Sequence, residues 1–166
     1  RSSDLTAAAA VTEFLAAQGV QAEKARLLGH LSGGRPGYAL RLAADEKAMA
    51  FRAEKLDDLR ELLAANRRTR FAYAEKLAKE KDTFRQALFI WLSFWRDVLL
   101  RAAGSEWPLT NLDRAEDVAR LGERLSLTEA RRITGQCEQA IERLEKSVNA
   151  RLLAEVTLMD WPKATR

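Results

Sequence analysis

Cysteine and histidine each occur once in this 166-residue chain, as Cys137 and His30. A single cysteine excludes an internal disulfide framework, and one residue of each kind excludes a zinc site built on thiolates and imidazoles. A chain without structural disulfides suits a reducing compartment, so a cytoplasmic location is expected. Proline is sparse, with three residues, and the eight glycines form only one close cluster, LSGGRPG from Leu31 to Gly37. No hydrophobic run is long. ALFIWLSFW, from Ala87 to Trp95, is bounded by Gln86 and Arg96. A bilayer span needs about 20 apolar residues, so this run reads as a helix buried on nearly all sides. Nor is one sign of charge in large excess. With 28 Lys+Arg against 24 Asp+Glu and a formal net charge of +4, most charges are expected to be interleaved on solvated faces. That balance permits nucleic-acid binding without indicating it. The chain opens on RSSDL, without Met or a signal-peptide pattern, and reads as a fragment of a longer protein.

What is present is helix. Apolar residues recur at helical spacing almost everywhere and alternate with period two almost nowhere, which predicts an all-α fold. A first helix runs from about Leu5 to Gln18, with Leu5, Ala8, Val11 and Leu15 as its stripe, Asp4 as its cap and Gly19 as its stop. A second covers Ala22 to Leu31, with Ala25, Leu28 and Leu31 inward. Pro36 opens a third, where its missing N–H costs nothing, and Ala39, Leu40 and Ala43 give that helix its apolar face. These short helices form a small bundle.

From Asp45 the helices lengthen. Met49, Ala53, Leu56, Leu59 and Leu63 mark one ending near Asn66, and Phe71, Ala74, Leu77 and Ala78 mark the next. LAADEKAMAFRAEKL contains no breaker, so the junction at Asp45 is expected to be nearly continuous, with a small bend. The buried helix runs from about Thr83 to Ala103 and stops at Gly104. After the loop GSEWPLTNLD, Val118, Leu121 and Leu125 mark a short helix. SLTE, Ser126 to Glu129, is a capping box opening a long helix striped by Ala130, Ile133, Cys137, Ala140, Ile141, Leu144 and Val148. SVNA breaks the pattern. Leu152, Val156 and Met159 carry a last stripe before Pro162. Two unequal bundles are expected, over residues 1–44 and 45–166.

Candidate chemistry is thin. A phosphate-binding P-loop needs GxxxxGK[ST] after a strand, and a dinucleotide fingerprint needs GxGxxG after a strand. GGRPG offers neither, so Gly33, Gly34 and Pro36 read as a turn that ends one helix and starts the next. His30 has no partner at ligand spacing and reads as a bystander at a helix end. Cys137 lies on an apolar stripe and reads as a small core residue, because a nucleophile would need a positioned base. The cluster NRRTR supplies Arg67, Arg68 and Arg70 as candidate phosphate contacts. The same arginines read equally as a solvated connection or as a cap on the helix ending near Asn66. Trp91 and Trp95 read as core. Glu75 with Lys79, and Glu142 with Lys146, read as surface pairs. The residues alone indicate an all-helical body without a visible catalytic site, of a kind that binds other proteins.

Three segments in succession resemble the C-terminal part of the delta-prime subunits of the bacterial DNA polymerase III clamp loader. ARLLGHLSGGRPGYALRLAAD, from Ala25 to Asp45, is similar to the small helical lid that follows an AAA+ ATPase core. FIWLSFWRDVLL, from Phe89 to Leu100, is similar to that family's buried collar helix. SVNARLLAEVTLMDWP is similar to its terminal segment, with Asn149 keeping one family asparagine and Ser147 departing at the other. The resemblance covers nearly the whole chain. In ATP-hydrolysing relatives the lid stretch reads approximately G-S-x-R-D-A-L, with an arginine, called sensor 2, that reaches the nucleotide phosphates. Aligning its Ala-Leu with Ala39-Leu40 puts Gly37 at that position, and glycine supplies no guanidinium.

The resemblance implies a lid over residues 1–44 and a collar over residues 45–166. The ATPase core would precede Arg1, and the fragment would be non-enzymatic. No cofactor and no metal are expected. Implied partners are the gamma/tau and delta subunits, through the collar. DNA and the sliding clamp would be met only through the full complex; no membrane and no small-molecule substrate are expected. Two rival readings are the lid and collar of a gamma/tau subunit, against which Gly37 and the short tail after Pro162 speak, and a helical nucleic-acid-binding domain using Arg67, Arg68, Arg70, Arg131 and Arg132. A helical enzyme would need a carboxylate or Cys137 cluster in a pocket, which the sequence does not display.

Overall fold

The computed structural model of the chain describes residues 2–146 and 149–163, with side chains from Thr6 onward. The helices are α1 (Ser2–Ala17), α2 (Ala22–Leu31), α3 (Pro36–Ala44), α4 (Glu46–Ala64), α5 (Arg67–Leu77), α6 (Lys81–Ala102), α7 (Ala115–Arg124), α8 (Leu127–Glu145) and α9 (Ala150–Met159), with a 3₁₀ turn at Leu112–Arg114. Among the described residues there is no strand, so the all-α expectation holds.

Local chemistry sets most boundaries. Pro36 occupies the first turn of α3. Side chains of Asp45, Asn66, Ser126 and Asn149 each accept a backbone N–H from the first turn of α4, α5, α8 and α9. The Ser126–Glu129 capping box is complete. Two boundaries differ from expectation. Helix α1 is already formed at Ser2, so Asp4 lies inside it rather than capping it. The junction at Asp45 is a break: its φ of −101° and ψ of 83° leave the helical region, and its carboxylate turns to cap α4 through Ala48 N–H at 2.9 Å. Aspartate in that role competes with helix continuation, which is why a stretch without Gly or Pro still breaks. The side chain of Leu5, and Ser147 and Val148, lie outside the described residues.

Two apolar clusters form. Val11, Leu15, Ala25, Leu28 and Ala39 bury the inner faces of α1–α3. The larger cluster is built on α6, with α4, α7 and α8 packed around it and α5 paired with α9. Trp91 and Trp95 are fully buried, and Trp161 packs edge-on to both, at centroid distances of 4.9 and 5.8 Å. The α6 surface is not closed all round, however: Phe89 is 53% exposed.

Arg70 joins the far ends of the larger cluster. It is buried, and its guanidinium donates to carbonyls of two helix termini. Nε bonds Leu62 O at 2.9 Å and Nη2 bonds Leu63 O at 3.5 Å, at the end of α4. Nη1 bonds Leu158 O and Trp161 O at 2.9 and 2.7 Å, and Nη2 bonds Pro162 O at 2.9 Å, at the end of α9. Terminal carbonyls carry the negative end of the helix dipole; Leu62 O and Leu158 O also accept the N–H groups of Ala65 and Trp161, and the one guanidinium supplies donors to both ends. Burial lowers the Arg70 pKa, yet a guanidinium starts so high that it stays charged. With Glu75 near Arg151 at the other end, the contacts make α5 and α9 antiparallel.

This clamp also selects which side of α9 turns inward. Leu153, Ala154, Thr157 and Leu158 are buried. Of the expected last stripe, Leu152 is 55% and Val156 49% exposed, while Met159 is half-buried. Two apolar rows run along α9, and docking Leu158 O and Trp161 O on Arg70 leaves only one of them facing the core. Leu40 and Phe71, also expected inward, are exposed as well.

Arg70→Ala is expected to destabilise the protein by roughly 3 kcal/mol or more, because several buried carbonyls lose their donors. Arg67→Ala and Arg68→Ala, at exposed positions, should each stay within about 0.5 kcal/mol. Urea unfolding of the three variants checks this, and equal effects at all three positions would contradict the clamp.

Candidate protein-interaction surface

The glycine cluster is a packed turn. Gly33 and Gly34 have φ of 61° and 77°, the left-handed region that favours glycine. A Cβ on Gly34 would also lie 2.6 Å from the Ala7 Cβ, so the turn closes directly against α1. Arg35 folds back, with Nε on Ser32 O at 2.9 Å and its guanidinium 4.8 Å from the Tyr38 ring centroid. Gly37 differs from both turn glycines: it has no positive φ, and a Cβ there would meet nothing within 4 Å. Neither backbone nor packing demands glycine at that position.

The candidate phosphate contacts separate. Arg67 and Arg68 sit exposed in the first turn of α5. Arg70, in contrast, is 2% exposed, and its donors are committed to carbonyls, which removes it from any phosphate site. Among the three readings of NRRTR, the helix cap is the one Arg70 fulfils. His30 is more than a bystander. Its Nδ1 lies 3.0 Å from Leu109 O, and since a carbonyl only accepts, Nδ1 is the donor. This bond ties the end of α2 to the loop after α6. Cys137 is buried, and burial pushes its thiol up to about 12, with the Glu138 charge adding to the rise. A thiol so placed is neither nucleophile nor ligand. Among the described residues, no group of three His, Cys, Asp or Glu could hold a metal.

A polar network, buried at Arg52, Asn111 and Asp97, holds the same loop. Arg52 on α4 forks onto Asp113 at 2.8 and 2.7 Å and reaches Asn111 Oδ1 at 2.8 Å. The Asn111 amide donates to Ser93 Oγ and Asp97 Oδ2, both at 2.8 Å. Asp97, buried on α6, also accepts the N–H groups of Thr110 and Asn111 at 3.0 and 2.8 Å. Sequence reasoning assigned no role to Arg52 or Asn111. The signal for Asp97 was present: an aspartate within the apolar run FWRDVLL must find donors if it is buried. Burial works to raise the Asp113 pKa, but the Arg52 hydrogen bonds and the Arg52 and Arg114 charges outweigh it and hold the carboxyl below its usual range.

Part of the exposed surface is apolar. Leu152 and Val156, one turn apart on the outer face of α9, form a row flanked by the ion pair Arg151–Glu155, at 3.0 Å. Apolar side chains on a polar-rimmed helix face are a feature of protein-interaction surfaces.

The Arg52–Asp113 pair makes stability pH-dependent. Because the folded pKa of Asp113 is depressed, its contribution is fully present above about pH 4, the unfolded aspartate value, and is lost as pH falls through the folded value. Asp113→Asn should lower the melting temperature at pH 7, and its gap to the parent should narrow steadily towards pH 2. For Cys137, a thiol-reactive chromophore at pH 8 should label the native chain only at its unfolding rate. Rapid labelling of folded protein would contradict the buried placement.

Comparison with known proteins yields a family match. The family model described as DNA polymerase III, delta subunit, C terminal matches residues 46–163. No curated protein and no solved structure matches the chain significantly. The match begins at the first residue of α4, beyond the break at Asp45, and takes in the α6 core, the Arg70 clamp and the outer face of α9. The chain therefore belongs to the family formed by the C-terminal domains of DNA polymerase III delta subunits, a clamp-loader component of DNA replication.

Proposed function

We propose that this chain is the lid and collar of a delta-prime-type subunit and serves as a non-enzymatic scaffold in the clamp-loader ring. Residues 1–44 are the lid and residues 45–166 the collar, which packs against the gamma/tau and delta subunits; DNA and the sliding clamp are met only through the assembled complex. The observation that carries the reading is the outward apolar row of α9, Leu152 and Val156, on a helix whose other face already fills the core. A neighbouring collar would cover that row. Gly37 supports the delta-prime assignment over gamma/tau. A Cβ there would meet nothing within 4 Å, so no steric need for glycine explains the missing arginine, and a lid with no nucleotide to sense does.

The test mixes the chain with the purified clamp-loader ATPase subunit of the same organism, in moderate salt, with and without ATP. A stable complex that ignores nucleotide is expected, and Leu152→Glu with Val156→Glu should weaken it at least about tenfold while leaving unfolding nearly unchanged, since both positions are exposed. Absence of a complex, together with salt-sensitive retention on DNA, would replace this reading with nucleic-acid binding through the exposed arginines.

A further inference from the structure

Helices α4 and α7 both rest on α6 and leave an open groove of about 440 Å³ between them. Its position follows from two constraints. Gly122 lets α7 close tightly on the end of α6, where a Cβ would lie 2.5 Å from the Arg101 Cβ. Arg114, just before α7, bonds Asp57 of α4 at 2.6 Å and closes one end of the gap. These two contacts set the spacing of α4 and α7 along the groove. Leu59 and Leu63 of α4, Phe94 of α6 and Leu121 of α7 make its floor apolar.

The rim has a different chemistry. Arg60 enters from α4, and Arg120 and Arg124 from α7, with Asp117 as the one carboxylate lining the groove. The guanidiniums of Arg60 and Arg120 lie 3.9 and 3.7 Å from Asp57 and Asp117, and both side chains are 61% exposed. Charge-assisted hydrogen bonds run at about 2.7–2.9 Å, so these two arginines retain donors for an incoming carboxylate. A phosphate backbone would engage the rim and leave the apolar floor wet. Leu56 to Leu63 spans about 10 Å of helix axis at 1.5 Å per residue, which admits two apolar anchors one turn apart.

We propose that the α4–α7 groove docks an acidic amphipathic segment of a partner protein, with two apolar side chains on the floor and flanking carboxylates on Arg60 and Arg120. This goes beyond the collar reading and uses a different surface from the outer face of α9.

The experiment is fluorescence anisotropy on the whole chain. The probe is a labelled helical peptide of leucines and glutamates, with leucine pairs at i, i+4, and the control replaces every glutamate with lysine. The glutamate peptide should bind and the lysine peptide should not. Arg60→Glu with Arg120→Glu should weaken binding about tenfold or more, whereas Arg67→Glu with Arg68→Glu, outside the groove, should leave it within about twofold. Equal binding of both peptides, or indifference to the Arg60 and Arg120 changes, would overturn the proposal. So would equally strong displacement by single-stranded DNA, or a concentration-dependent dimer that the groove variant abolishes. No other clamp-loader protein enters this assay, so its failure leaves the α9 reading untouched.

Discussion

A single buried guanidinium holds the larger bundle in its shape. Arg70 directs its donors to carbonyls at the ends of α4 and α9, segments about a hundred residues apart in sequence (Leu62 and Leu63 on one side, Leu158, Trp161 and Pro162 on the other). Among the described residues, no carboxylate pairs with this charge. The balance comes from the partial negative charge of two helix ends, in a place where water is excluded and each dipole counts for more. Lysine could not substitute, because a point charge on a flexible stem lacks the planar fork that reaches both termini at once. Once α9 is fixed this way, Trp161 falls between Trp91 and Trp95, and the apolar row of Leu152 and Val156 is committed to the outside.

The rest of the molecule relies on the same device at smaller scale: polar side chains inside the fold that pin irregular backbone. Asp97 takes the backbone N–H groups of the loop after α6, Arg52 and Asn111 complete the network, and His30 holds Leu109 O in the same loop. The loop thereby connects the cluster formed by α1–α3 to the cluster built on α6. Such links contribute little net stability compared with apolar burial, but they are costly to break singly, since each loss strands a buried partner.

Function, on the reading proposed, lies in surfaces rather than in a pocket of reactive groups. The outer face of α9 carries the exposed apolar row of Leu152 and Val156, suited to burial against a neighbour of similar character. The groove between α4 and α7 is concave, apolar at its floor and cationic at its rim. These surfaces ask for different partners, so one chain can hold its place in a ring and still offer a second docking point.

The sequence by itself determined the helices, most of their ends and the family resemblance, because periodicity, Pro36, the Ser126–Glu129 box and Gly104 act through neighbours a turn away. It also placed Trp91, Trp95 and Cys137 in the core, since each lies on a strong stripe. Two things were decided only in the tertiary structure. Arg70 looks like its neighbours Arg67 and Arg68 in NRRTR, and nothing local distinguishes the one whose partners lie at the other end of the chain. Leu152 and Val156 form a stripe as regular as Leu153, Leu158 and Trp161, and only docking on α5 and α8 selects the inward row. At Asp45 the outcome rests on a local contact, the cap its carboxylate gives Ala48 N–H, which the absence of Gly and Pro does not reveal. For Arg70 and for the two α9 rows, local spacing leaves both outcomes open, and contacts with residues distant in sequence decide between them.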